Sequence, residues 1–321
     1  MRVSVVVPTR DRSYYLSRCL TALRAQTLPA GEYEIIVVDD GSARQPVELP
    51  APSAGERIRL VRREVPAGPA TARNDALALA QGAILAFTDD DCRPERDWLE
   101  AGCRAIDRGL DIATGRTIPD PQDKVAAGPF AYSMNMPGPD PRFSTCNCFY
   151  RADVLRAAGG FRGEFYSSAG YHFGEDTDLA WRAIESGARS GFAGDAIVYH
   201  AVRPQTFGEH LRSRRRLENL VPLVKRYPGV KRAHLSSHVY SWSHLFAYVA
   251  IGGLVGSLAS PWGLALLLPY ALWRSRDKRR LPTAPWAFAW RNRAMPLFFL
   301  ADVYECWVLA RASLRHRHVF L

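Results

Sequence analysis

The stretch "AILAFTDDDCRPERDWL" (83–99) runs an apolar segment directly into three adjacent carboxylates, Asp89, Asp90 and Asp91. Like charges side by side repel. A triplet at the mouth of a buried strand is therefore either a solvated acidic turn or a site built for a divalent cation. Which of the two applies depends on what surrounds it.

Upstream, "VSVVVP" and "EIIVVDD" are continuous apolar runs of the kind found in parallel strands covered on both faces. Between them "RSYYLSRCLTALRAQ" places Tyr15, Leu16, Cys19, Leu20 and Leu23 at helical spacing. A short strand "IRLVRRE" and a helix "ATARNDALALAQ" then lead into "AILAFTD". This βαβαβαβ order predicts a doubly wound, mostly parallel sheet with right-handed crossovers, whose ligands sit beyond the carboxyl ends of the strands. The segments "PTRDR", "DDGS" and "DDDC" all fall at those ends, so the triplet lies at the edge of a predicted site.

Downstream, residues 119–145 are rich in Pro and Gly and read as irregular, mobile loops. Order resumes at "TCNCFYRADVLRAAGGF", a strand and a helix closed by Gly159–Gly160. "GYHFGEDTDLAWRAIESG" reads as a loop entering a helix, "AIVYHA" as a last strand, and 207–227 as a basic helix.

The formal net charge of +10 conceals an asymmetry. Residues 203–321 carry 19 Lys/Arg against 5 Asp/Glu, a balance of +14, which leaves −4 for residues 1–202. The acidic part suits a cation. The basic part brackets the longest apolar runs, which suits an anionic membrane surface better than nucleic acid. The six cysteines show no CxxC spacing and read as reduced, buried side chains. No signal-peptide pattern precedes the first strand, so the soluble part is expected in the cytosol.

"VYSWSHLFAYVAIGGLVGSLASPWGLALLLPYALW" (239–273) is nearly uncharged and broken at Ser260–Pro261. Its first arm, about 20 residues, is long enough to span a bilayer, whereas the second is too short to cross alone, which predicts an in-and-out or re-entrant hairpin. The last segment, "PLFFLADVYECWVLARASLRHRH", carries Asp302 and Glu305 and reads as an amphipathic helix lying at the membrane interface. A water-soluble helical subdomain that packs this apolar surface on itself is the alternative. Mean hydropathy of −0.17 excludes a many-spanning transporter.

Seven segments occur in the order expected of a known family: "VVVPTRDR", "IIVVDDGS", "ATARNDAL", "FTDDDCRP", "CNCFYRADVLRAAGGF", "GEDTDLAWR" and "VYH". Over about residues 2–230 the chain resembles the inverting glycosyltransferases of family 2, which have the GT-A fold. The resemblance implies a catalytic domain over 1–205, with a nucleotide-sugar half (1–118) and an acceptor half (119–205). A basic helical connector (206–238) and a membrane-associated region (239–321) would follow. It also implies a nucleotide diphosphate sugar donor, a glycan acceptor, and Mn²⁺ or Mg²⁺ as cofactor, while the apolar hairpin and its basic flanks predict a lipid-linked or membrane-borne acceptor and a chain at the cytoplasmic face of the membrane.

By the same resemblance Asp91, Asp89 and His200 form the metal shell with Asp90 as competitor to Asp91, and Asp89 and Asp90 also bind the donor, Asp89 facing its ribose and sugar. Pro8, Thr9 and Arg10 line the base pocket, Asp39 hydrogen-bonds the base, and Arg73 pairs with phosphate. Asp176 is the base that takes the acceptor proton and Glu175 orients the acceptor or the loop. Asp178 projects elsewhere, and Trp181 and Arg182 serve as packing and surface groups.

Residue-level alternatives stand beside these roles: a helix cap for Asp39, an exposed helix charge for Arg73, a dipole-favoured acidic cluster for "GEDTD". Asp75 stands where the family often has Gly. The Gln-x-x-Arg-Trp signature of processive synthases is absent, which implies addition of one sugar or a few. Two other functions compete. A sugar nucleotidyltransferase would need a Gly-rich, Lys-containing loop after the first strand, and "PTRDRSYYL" has neither residue. An inactive membrane scaffold would have eroded acidic motifs, and both motifs are intact.

Overall fold

The computed structural model describes residues 1–45, 47–49, 51, 54–123, 128–163, 172–233, 239–276 and 293–321. These fall into two compact units. One comprises Met1–Asp123, Ser133–Phe165 and Gly174–Val202, and the other Lys124–Tyr132, Tyr166–Phe173 and Arg203–Leu321.

The first unit is built on an eight-stranded sheet: β1 (Val3–Thr9), β2 (Tyr33–Asp39), β3 (Ile58–Arg62), β4 (Ile84–Thr88), β5 (Cys92–Pro94), β6 (Ile112–Pro119), β7 (Asn147–Arg151) and β8 (Ser190–His200). The order across the sheet is β3-β2-β1-β4-β7-β6-β8-β5. β3, β2, β1 and β4 are parallel, as the apolar runs imply. Beyond them the sheet is mixed: β7 runs antiparallel to both β4 and β6, β8 is parallel to β6, and β5 is antiparallel to β8. The sheet is thus less uniformly parallel than the sequence pattern predicts, because apolar runs carry no record of strand direction.

The helices α1 (Ser13–Arg24), α2 (Pro69–Leu79), α3 (Trp98–Asp107), α4 (Ala152–Ala157) and α5 (Glu175–Glu185) cover the two faces. Alternation along each strand decides which core a residue joins. Val3, Val5, Val7, Ile35 and Val37 pack with Leu16, Leu20 and Leu23 of α1 and with Trp98 and Leu99 of α3. Val6, Ile36, Val38 and Phe87 pack with Ala72 and Ala76 of α2, Leu155 of α4 and Leu179 and Ala183 of α5. α4 ends as expected at Gly159 and Gly160, both with positive φ. The loop expected to be mobile is irregular but tethered: Trp181 Nε1 donates to the Pro141 carbonyl at 2.8 Å, and Thr177 Oγ1 to that of Arg142 at 2.8 Å.

The second unit is helical, with α6 (Phe207–Arg214), α7 (Leu220–Arg226), α8 (Trp242–Gly256), α9 (Leu267–Arg276) and α10 (Met295–His316). α6 opens on a reciprocal cap between Thr206 and Glu209. The segment expected to form a membrane hairpin folds as two helices on either side of a turn that starts at Pro261, with Ala247 and Ala250 of α8 packed on Tyr270 of α9 and Cys306 of α10. Its first arm, however, is a helix of 15 residues rather than a 20-residue span, about 22 Å at 1.5 Å per residue. Among the described residues no helix is long and apolar enough to cross a membrane.

α10 also departs from expectation. Its acids do not form a polar outer face: Asp302 and Glu305 are buried. Asp302 accepts from Tyr270 Oη at 2.7 Å and Arg274 Nη2 at 3.2 Å, while Glu305 lies 3.0 Å from His244 Nε2 and 3.2 Å from Arg214 Nε. The exposed positions of α10 include Leu297, Leu300, Trp307 and Leu314.

Candidate active site

The carboxyl ends of β1, β2 and β4 converge on the acidic triplet, where each carboxylate has its own surroundings. Asp89 is partly exposed and accepts from Arg73 Nη2 at 3.0 Å. Asp90 is buried and accepts from Thr9 Oγ1 at 2.7 Å and Arg12 Nη1 at 3.1 Å. Asp91, also buried, lies 3.4 Å from Arg12 Nη1 and 3.5 Å from His200 Nε2. Burial, then the charge of Asp91, pushes the Asp90 carboxyl up to about 7 against the pull of Arg12 and Thr9.

His200 reaches this cluster through a defect in the sheet. β6 and β8 change register after Gly115, where a Cβ would meet the Ala196 carbonyl at 2.2 Å. Asn147 closes the irregularity, its Nδ2 donating to the carbonyls of Arg116 (3.0 Å) and Ala196 (2.9 Å) and its Oδ1 accepting from Trp98 Nε1 (2.9 Å). β8 thereby delivers His200 opposite Cys92 of β5. Its Nδ1 lies 2.9 Å from the Ala201 carbonyl, which can only accept, so Nδ1 carries the proton. Its Nε2 faces the carboxylate of Asp91 at 3.5 Å.

A carboxylate and an imidazole that face each other can share a cation. Asp91, Cys92 and His200 offer ligand atoms within 4.8 Å of one another. Burial and the neighbouring Cys146 hold the Cys92 thiol well above its usual range, so it is a poor thiolate donor here. The carboxylate–imidazole pair suits a divalent cation.

The second acidic set opens α5. Gly174, with φ of 104°, turns the chain into the helix, and Glu175, Asp176 and Asp178 occupy its first turn, where the helix dipole favours them. Asp176 accepts from the amides of Thr177 (2.8 Å) and Thr145 (3.4 Å). Burial and Glu175 push its carboxyl up to about 7, against Arg73 and those amides. Asp178 points away, as expected, into a 2.8 Å pair with Arg182. Arg182 is not a surface group: it is largely buried and donates to the carbonyls of Ala158 and, at 2.6 Å, Gly160.

Arg73 joins the two acidic sets. It is buried on α2, with Nη2 on Asp89 and Nη1 on Glu175 at 3.1 Å, and its guanidinium lies over the Phe161 ring. The exposed-charge alternative for it therefore fails. Asp39 is buried, accepting from the Ser42 amide at 2.9 Å and Arg62 Nε at 3.3 Å. The entry to α2 is held instead by Asp40, which accepts from the amides of Ala67 and Gly68. Pro8 and Thr9 end β1, Thr9 facing Asp90, and Arg10 is exposed. Asp75 pairs with Arg63.

Sequence reasoning passed over Arg12 and Asn147. "PTRDR" holds two arginines, and only the turn at Asp11, with φ of 52°, decides that the second enters the cluster. An Asn inside the apolar run "CNCFY" was the available signal for the other.

The pattern "Glycosyl transferase family 2" matches residues 4–158, and "Glycosyl transferase family group 2" matches residues 84–275. The glycosyltransferase AglE of Haloferax volcanii is 32% identical over 224 residues, 67% of this chain and 71% of that one. The pre-mycofactocin glycosyltransferase of Mycobacterium tuberculosis is 32% identical over 288 residues, 80% of this chain, which spans 54% of that relative's length. In fold, the chain resembles the mannosyltransferase PcManGT of Pyrobaculum calidifontis, solved with GDP-Man and Mn²⁺, at a TM-score of 0.58 and 21% identity, over 97% of this chain and 86% of that one. The mixed sheet, the strand-end carboxylates and these matches lead to one conclusion: the chain belongs to glycosyltransferase family 2.

Proposed function

We propose that this protein is a metal-dependent, inverting glycosyltransferase that moves a single sugar from a nucleotide diphosphate sugar to a hydroxyl of a membrane-linked or cell-envelope acceptor. The observation that carries this reading is the Arg73 bridge, which ties the triplet at Asp89 to the α5 acids at Glu175 within one folded unit. Cation site and base thereby belong to one constellation.

Asp91 and His200 would hold the ion and Asp89 the donor's ribose and sugar, with Asp39 and the end of β1 at the nucleobase. A bound Mn²⁺ or Mg²⁺ supplies charge neutralisation for a departing diphosphate. Inversion requires attack opposite the leaving group, and the attacking hydroxyl must lose its proton as the bond forms. Asp176 suits that task, since a carboxyl whose pKa lies near neutrality is still ionised at working pH yet basic enough to accept the proton. Glu175, fixed by Arg73, orients the loop and the acceptor. The PcManGT complex with GDP-Man and Mn²⁺ supports both donor class and metal.

The experiment is release of nucleoside diphosphate from a panel of nucleotide sugars, with Mn²⁺, Mg²⁺ or EDTA, followed by anomeric analysis of the product. Cation-dependent release with an inverted anomer is expected. An inert protein would favour the scaffold reading, and release of pyrophosphate from a nucleoside triphosphate and a sugar phosphate would favour the nucleotidyltransferase.

The helical unit supports a cytoplasmic membrane surface as a partner. Leu258 and Trp262, at the turn between α8 and α9, are 89% and 85% exposed, and Leu264, Leu266 and Leu268 follow them onto the surface. Indole and leucine side chains so exposed, in a region of charge +14, match an anionic lipid surface entered to the depth of one leaflet. Co-sedimentation with phosphatidylglycerol vesicles is expected, and it should be reduced at least tenfold by Leu258→Ser/Trp262→Ser. Equal binding by the double variant would reject this surface.

A further inference from the structure

Two arginines stand in the acidic site, and they are held differently. Arg73 is buried and uses two nitrogens on two acids. Arg12 keeps 39% of its side chain exposed, and one nitrogen, Nη1, makes both of its contacts, 3.1 Å to Asp90 and 3.4 Å to Asp91. The first geometry fixes a guanidinium in place, whereas the second lets one leave.

The loop that seats Arg12 is tied to the donor end of the sheet. Asp11 is held in its left-handed conformation by the segment after β2: its amide donates to Ser42 Oγ at 2.8 Å, and its Oδ1 accepts from the amides of Arg44 (2.7 Å) and Gln45 (3.1 Å). Ser42 in turn caps Asp39 through its own amide. Hydrogen bonds thus run from the carboxylate proposed to meet the nucleobase to Asp11, the residue directly before the one that neutralises the proposed cation site.

Two buried carboxylates side by side require positive charge nearby. In this structure Arg12 supplies it. A divalent ion bound between Asp91 and His200 would draw on the same negative charge and would be repelled by the guanidinium. A diphosphate arriving with the ion removes that conflict, because its oxygens are a bidentate match for the displaced guanidinium.

We propose that Arg12 is an exchangeable counter-cation, which neutralises Asp90 and Asp91 in the unloaded site, opposes entry of a lone divalent ion, and moves to the diphosphate when ion and donor bind together. This rests on the glycosyl-transfer reading. It adds a residue and an order to it: cation and nucleotide load as one, and the ion alone binds weakly.

The test is direct titration of the full-length protein with Mn²⁺, following the free-ion electron paramagnetic resonance signal, with and without UDP or GDP. Wild type, Arg12→Met and Arg12→Lys are compared. Arg104→Ala, which removes an exposed charge paired with Glu100, controls for net charge. Without nucleotide, Arg12→Met should bind Mn²⁺ about tenfold more tightly than wild type, with Arg12→Lys close to wild type. At saturating Mn²⁺, Arg12→Met should bind the nucleoside diphosphate about tenfold more weakly. Circular dichroism establishes that each variant is folded, and Arg12→Gln, for which the same two shifts are expected, carries the comparison if the Met variant is not.

Unchanged or weaker Mn²⁺ binding by Arg12→Met overturns the proposal, and so does an equal gain in Arg104→Ala. If wild type binds Mn²⁺ with nucleotide but Arg12 variants change neither affinity, the counter-cation falls and the transferase reading stands. If no protein binds Mn²⁺ with either nucleotide, the metal-dependent reading falls and the counter-cation with it.

Discussion

Both units bury carboxylates, and what surrounds them separates structure from chemistry. In the helical unit Asp302 and Glu305 meet Arg274, Tyr270, Arg214 and His244, so charge is met by charge within a packed helix cluster. In the sheet unit Arg12 and Arg73 stand among Asp89, Asp90, Asp91, Glu175 and Asp176, and two of those acids are pushed up to about 7. A matched set of buried charges holds helices together. An acid-rich set suits a site that receives positive charge from outside.

Asp176→Asn should have the largest effect. It keeps the shape and removes the base, so turnover should fall about 10³-fold with donor binding retained, measured as sugar transfer against nucleotide affinity. Wild-type turnover should rise as pH climbs through about 7 and disappear below it, since only the ionised carboxylate accepts a proton. Undiminished transfer by the variant would dismiss Asp176 as the base.

Next, Asp302→Ala strands Arg274 in the helical core and should cost about 3–5 kcal/mol in urea unfolding, while Asp302→Leu with Arg274→Met should recover most of it. If the single variant is as stable as wild type, the matched-charge account of this unit is wrong.

The smallest effect has the opposite sign. Burial and the charge of Asp91 push the folded Asp90 carboxyl up to about 7 from its ordinary 3.8, so the native state binds the extra proton between those values and stability falls as pH rises across that window. Asp90→Asn loses this share of the slope and keeps the share that comes from Asp176. It should gain on the order of 1 kcal/mol over wild type at pH 8 and nothing at pH 4. A loss at pH 8 would mean that its bonds to Thr9 and Arg12 outweigh the repulsion.

Legibility followed the strength of the apolar signal. β1, β2 and β4 were readable because their side chains are buried on both faces and each carries an unbroken run of Val, Ile, Leu, Ala or Phe. β5, three residues ending in Pro94, and β6, interrupted by Gly115 and Arg116, left no such run, although they pair with the strand that carries His200. The reversal of β7 is likewise invisible to a pattern of period two. In α10, the spacing of acids and leucines indicated amphipathicity but not which face turned inward. Arg214, His244, Tyr270 and Arg274, remote in sequence, turned the acids to the interior.

By itself, the sequence determined the family, the parallel half of the sheet and the acidic residues at its edge, because burial and strand-end motifs are written locally. The tertiary structure alone decided that Arg73 bridges Asp89 and Glu175, that the break at Gly115 carries His200 to Asp91, and that Arg12 rather than Arg10 enters the cluster. Each depends on where distant strands and turns place a side chain, and a charged group's electrostatic energy is set by its neighbours in space, not by its neighbours in the chain.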